Sequence, residues 1–202
     1  MIWLLWLDLA KILLTGIVLG LVVGKLVVLR PFYLERIRPR HWVPIARRMR
    51  RRESIRLISI ALAFTAAALV VATIVGNLLY GAGVELYSRD EYPFTALQEQ
   101  YPLLLLVMVN VLPVFEEWIF RGILLEEVAR RTRSKWIGVM VSALIFAAFH
   151  LSNPGTYPAF VIPLLGAGLL LGTCYLVSGL AGAIITHNAY NSILVVLWAI
   201  GV

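Results

Sequence analysis

Six apolar runs make up most of this chain, and each is close to the ~20 residues an α-helix needs to cross the hydrocarbon core of a bilayer. They are Leu4–Leu29, Ile55–Ala82, Pro102–Val128, Trp136–Leu151, Ala159–Val177 and Leu180–Ile200, the fourth being short. Hydrocarbon has no water to satisfy backbone N–H and C=O groups, so runs of this kind must be helices that satisfy their own hydrogen bonds. With 61% hydrophobic and 14% charged residues among 202, and the charges gathered between the runs, the composition excludes a soluble domain. The expected fold is all-α, a polytopic transmembrane helical bundle of about six spans. The first run lacks a basic start, carries Asp8 and Lys11 and is too long for a cleaved leader, so it is expected to be a retained helix.

Charge patterning sets the expected orientation. The net charge of +7 is not a nucleic-acid signal, because arginines 30, 36, 38, 40, 47, 48, 50, 51, 52 and 56 crowd one connector between two apolar runs. Such residues collect on the cytoplasmic side of membrane proteins and attract anionic lipid headgroups. Arg130, Arg131, Arg133 and Lys135 form a second basic connector, whereas Glu85, Asp90, Glu91 and Glu99 oppose only Arg89 in the segment between. The alternation predicts a multi-pass integral membrane protein with the 30–56 and 130–135 connectors cytoplasmic and the Glu85–Glu99 loop outside. Trp42 and Pro44 suggest that part of the first connector lies along the headgroups. Trp3, Trp6, Trp136 and Trp198 read as interface anchors, and Asp8, Lys11 and Lys25 as residues able to snorkel. Cys174, the single cysteine, allows no intrachain disulfide and reads as packing. Helix breaks are expected at Ser152–Pro158, where Asn-Pro-Gly precedes a second proline, and at Ser178-Gly179.

Against this apolar background, Glu116, Glu117, Arg121, His150 and His187 stand out. A charged side chain at the bilayer centre costs about 3 kcal/mol on insertion scales, so such residues are rare unless they face a bundle interior and act there. Residues four apart share a helix face, so Glu117 can reach Arg121 while Glu116 points about 100° away and remains free. One carboxylate then balances the arginine and the other sits in low-dielectric surroundings suited to a general base. Phe146 and His150 are also four apart, as are His187 and Asn191. Faces that converged would place a base, two imidazoles and an amide donor around one pocket, able to activate water and to stabilise an oxyanion. Depth allows convergence: Glu116 lies about 18 Å, His150 about 21 Å and His187 about 12 Å from the expected cytoplasmic ends of their helices.

Glu116-Glu117-Trp118-Ile119-Phe120-Arg121, Phe146-Ala147-Ala148-Phe149-His150 and His187-Asn188-Ala189-Tyr190-Asn191 resemble, in order, the EExxxR, FxxxH and HxxxN motifs of the CPBP family. That family groups type II CAAX prenyl endopeptidases with bacteriocin-processing and Abi-type membrane proteins. The resemblance divides the chain into residues 1–100, two N-terminal transmembrane helices with a basic cytoplasmic connector and an acidic outer loop, and residues 101–202, a catalytic four-helix core. It implies an intramembrane endopeptidase in which Glu116 activates water and His150 helps hold that water. Glu117 would support Arg121, and His187 and Asn191 would stabilise the oxyanion. Its CAAX branch implies a peptide or protein substrate lipidated at a C-terminal cysteine. Glu116, His150 and His187 are also an adequate zinc set with a fourth position open to water, and the family's metalloprotease label favours zinc, although histidines on separate helices do not establish one ion.

Other readings attach to single residues. A lone intramembrane histidine is as often a hydrogen-bonding residue between helices as a functional one. Arg121 stays protonated and reads as a structural partner. Phe146 reads as packing under His150, and Glu126 and Glu127 as charge partners of Arg130 and Arg131. A non-catalytic immunity or scaffold protein, or an ion-coupled transporter using the same groups as a proton relay, are the alternative functions, the latter opposed by the lack of an internal repeat.

Overall fold

The computed structural model describes residues 2–88 and 92–200, with the side chains of 2–5, 93 and 96 left aside. The expectations for Arg89, Asp90, Glu91 and the Trp3 side chain fall outside the described residues. The helices are α1 (Ile2–Leu29), α2 (Phe32–Glu35), α3 (Pro39–Arg48), α4 (Arg51–Gly81), α5 (Pro93–Gln100), α6 (Pro102–Glu117), α7 (Glu126–Thr132), α8 (Lys135–His150) and α9 (Val161–Ala199). A π-helical segment, Trp118–Leu125, joins α6 to α7. Among the described residues the extended pairing is a single bridge, Tyr87 opposite Thr156, so the all-α bundle is what the apolar runs form.

Four stretches are long and apolar enough to cross a membrane: Trp6–Leu29, Arg51–Gly81, Pro102–Thr132 and Pro158–Ala199. The last is 42 residues long, and straight it would reach about 63 Å, twice a ~30 Å hydrocarbon core. It is not straight. Gly179 takes φ 72°, ψ −170°, a conformation that favours glycine, and breaks the ladder. Cys174 Sγ then lies 3.3 Å from Thr186 Oγ1, although residues twelve apart in one helix are separated by about 18 Å. The chain therefore folds back at Ser178-Gly179, and arms 161–178 and 180–199 correspond to the fifth and sixth apolar runs. The fourth run is the short helix α8, 16 residues and about 24 Å long, which ends on His150.

Helix α9 is the centre of the bundle, packed on α4, α8 and α6. Apolar side chains gain little by leaving lipid for protein, so helix contacts in a membrane depend on close backbone approach through small residues. Gly168 and Gly172 provide it: a Cβ on Gly168 would sit 2.9 Å from Ala143 Cα, and one on Gly172 2.9 Å from Val139 Cγ1. Helix α1, by contrast, leaves Trp6, Leu14, Leu21 and Val28 exposed and contributes Leu26 to a cluster with Tyr33, Phe120, Ile123, Leu124 and Phe146. Beyond α8 the loop through Ser152–Tyr157 meets the segment after α4. Ser88 N donates to Gly155 O at 2.8 Å and Tyr157 N to Leu86 O at 2.9 Å, and the rings of Tyr87, Tyr92 and Phe160 gather over this pairing.

Candidate active site

Glu116 and Glu117 end α6, where regular α geometry gives way to the wider π segment that carries Arg121. Short π stretches are rare and cluster at functional sites. This one is supported from outside, because Ser142 Oγ on α8 donates to Phe120 O at 2.7 Å. Glu117 and Arg121 are both fully buried. Arg121 Nη1 donates to Glu117 Oε1 at 2.8 Å and Nη2 to Gly168 O at 3.1 Å, on the glycine face that brings α9 close. The guanidinium lies 4.6 Å from the centroid of Phe146, so a cation–π contact replaces part of the hydration that burial removes. Phe146 is packing, as expected, and also a cation partner.

Glu117 does more than balance Arg121. The same Oε1 accepts from His187 Nδ1 at 2.8 Å, so the carboxylate ties the π segment to arm 180–199. His150 is fixed differently: its Nδ1 donates to Phe146 O, one turn back, at 2.8 Å. Both acceptors require a hydrogen on Nδ1, an assignment that follows from the partners. Each ring therefore turns Nε2 toward Glu116, whose Oε2 lies 3.9 Å from His150 Nε2 and 3.8 Å from His187 Nε2. The structure thus brings together Glu116, Glu117, Arg121, His150 and His187 from three separate apolar runs. Glu116 retains 22% side-chain exposure beside a partner at 0%, which is the division of the doublet expected from helix geometry. Asn191 lies one turn beyond His187 and half-buried, and its amide forms no hydrogen bond among the described residues.

Two imidazole nitrogens and a carboxylate have the chemistry of a zinc site. Ligands about 2.1 Å from a tetrahedral ion lie about 3.4 Å from one another, closer than Glu116 Oε2 lies to either Nε2. Among the described residues no three His, Cys, Asp or Glu side chains are gathered to hold an ion. As placed, the set does not fit a zinc ion, and no chemical step is derived through one.

Three features escaped the sequence reading. The π segment left no signal in an apolar run. Tyr92, on the loop before α5, has its phenol pushed up to about 12 by burial first, then by Tyr87 and by the charge of Glu116, so a loop hydroxyl lies within electrostatic reach of the glutamate. Asn110 on α6 bonds Ser192 and Asn188 on arm 180–199; three polar residues in apolar runs were the available hint. One expectation needs correction. Glu127 does pair with Arg130 and Arg131, and also accepts from Tyr33 and Arg30, but Glu126 turns to Arg36 and Tyr175, because it projects about 100° away around the helix, toward the end of α2 and arm 161–178.

Residues 98–193 match the family model described as type II CAAX prenyl endopeptidase Rce1-like, a span that holds Glu116, Glu117, Arg121, His150, His187 and Asn191. No curated protein and no solved structure matches the chain.

Proposed function

From the match of residues 98–193 to the type II CAAX prenyl endopeptidase Rce1-like family model, we propose that this integral membrane protein cleaves a peptide bond with water activated by Glu116. The observation that carries the reading is the position of Glu116: its Oε2 faces Nε2 of both histidines at 3.9 and 3.8 Å, while Glu117 beside it is buried with its Oε1 shared by Arg121 and His187. A water between Glu116 and His150 gives one hydrogen to the carboxylate and the other to the His150 Nε2 lone pair. As its oxygen attacks the scissile carbonyl, Glu116 takes the proton. The oxyanion is met by an N–H from His187 Nε2 and by the Asn191 amide. Glu117 accepts from the other nitrogen of His187 and so aims the ring, and Arg121 balances Glu117. Collapse of the intermediate breaks the C–N bond, and Glu116 returns its proton to the leaving amine.

The substrate we propose is a protein tail whose lipidated C-terminal cysteine places the scissile bond near the membrane. Helix α3 would lie on anionic headgroups on the cytoplasmic side, since it exposes Val43 and Ile45 together with Arg40, Arg47 and Arg48. The test is cleavage of quenched fluorescent peptides, farnesylated and plain, by detergent-solubilised protein beside Glu116→Ala and His150→Ala, with and without a zinc chelator. The expected result is cleavage lost in both variants and kept in chelator. Loss on chelation would assign the water activation to a metal. Undiminished cleavage by Glu116→Ala would sink the proposal.

A further inference from the structure

Pro113 lies inside α6, fully buried, four residues before Glu117. A proline within a helix removes the hydrogen bond to the carbonyl one turn back and loosens the rod at that point. Glu116 and Glu117 therefore sit just past a point where the helix can hinge, and their helix is joined to arm 180–199 by hydrogen bonds on both sides of it. Past the proline the link is His187 Nδ1 to Glu117 Oε1, 2.8 Å. Before it, Asn188 Nδ2 donates to Asn110 O at 3.0 Å, and Asn110 Nδ2 donates to Ser192 Oγ at 3.0 Å and to Leu106 O, one turn back, at 2.8 Å. Ser192 and Asn110 Oδ1 are 3.3 Å apart in return. The two links are separated along α6 by about 10 Å, and their order is that of antiparallel helices: Glu117 with His187, Asn110 with Asn188 and Ser192.

We propose that Asn110, Asn188 and Ser192 form a positioning clamp that holds the N-terminal half of α6 in register with arm 180–199, so that the hinge at Pro113 cannot swing Glu116 away from His187. None of the three is a motif residue, and none touches the reacting atoms. Asn188 Oδ1 is buried without a partner among the described residues. An unpartnered buried acceptor lowers stability, a loss that a residue present only for packing would avoid by being apolar. Asn188 also adjoins His187 in the chain, so its bond to Asn110 fixes the rotation of the helix that aims the imidazole.

The catalytic consequence rests on the endopeptidase reading; the mechanical one does not, and the experiment separates them. In a Cys174→Ser background, spin labels at Val107 and Val196, both exposed on the lipid face, report the spacing of α6 from arm 180–199. Asn188→Ala should broaden a narrow distance distribution, and adding Pro113→Ala, which removes the hinge, should narrow it again. In parallel, Asn188→Ala should lower kcat for peptide cleavage by about tenfold or more, as a misplacement of around 1 Å can, with KM within about twofold, and Pro113→Ala should recover most of it. Ser192→Ala should behave alike and Ser192→Thr like wild type, and these milder variants serve if Asn188→Ala does not fold. A folded Asn188→Ala with an unchanged distribution, or a broadened one that Pro113→Ala fails to narrow, would overturn the clamp. The expected distances together with a wild type that cleaves no peptide would keep the clamp and remove the endopeptidase reading.

Discussion

Two glutamate doublets lie about three turns apart on one continuous helical stretch, Glu116-Glu117 and Glu126-Glu127. In each, the second residue is a buried hub. Glu117 holds Arg121 and His187, and Glu127 holds Tyr33, Arg30, Arg130 and Arg131. The first residues differ. Glu126 has its Oε1 taken by Arg36 and Tyr175, whereas Glu116, among the described residues, meets two imidazole nitrogens at a distance a water can span. The lesson is that a carboxylate becomes available for chemistry through what its neighbours leave unsatisfied, not through its own identity or that of the residue beside it.

The largest expected effect breaks the symmetry of the two doublets. Glu116→Gln should reduce cleavage by about a thousandfold, within the usual contribution of a general base, with no change in melting temperature, while Glu126→Gln keeps turnover within severalfold. Equal losses in both would mean that the doublets differ less than their geometry indicates. Next comes Glu117→Gln, which leaves Arg121 buried and unbalanced and should cost about 3 kcal/mol of stability or more in a detergent unfolding assay. Glu117→Leu with Arg121→Met should recover stability but not cleavage, because His187 loses its acceptor. Recovery of both would reduce Glu117 to a structural role.

Smaller again is Tyr33→Phe, which removes a 3.2 Å bond to Glu127 and should cost about 1 kcal/mol. The Tyr33 phenol is pushed up to about 12, by burial first and then by the charge of Glu127. A raised folded value favours the protonated form, so this contribution is present below the ordinary tyrosine range near 10 and is lost as pH climbs toward 12. Alkaline melting of the wild type should fall across that window, and less so in Tyr33→Phe. The smallest effect is expected at Glu35, which is exposed. The Arg40 side chain holds its carboxyl below the usual range, which stabilises above that range and fades on acidification. Glu35→Gln should leave the melting temperature within error at neutral pH, as exposed ion pairs contribute little.

Much of the site was legible because helix periodicity and membrane energetics act locally. The pairing of Glu117 with Arg121 and of Phe146 with His150 required only a four-residue repeat, and the turn at Ser178-Gly179 only a glycine between apolar runs. The hydrogen bond from His187 to Glu117 was not legible, since it joins runs seventy residues apart. The π segment was hidden for another reason: its support comes from Ser142 on a different helix.

The sequence by itself determined that this chain is a helical membrane bundle carrying ionisable groups at depth, because the absence of water in hydrocarbon leaves apolar runs no other backbone solution and makes stray charges expensive. Tertiary structure decided what the free glutamate faces, Nε2 of both histidines. That arrangement depends on the close approach of α8 and α9 at Gly168 and Gly172, which sets where Arg121 and both imidazoles can stand, and no local pattern encodes distances between helices.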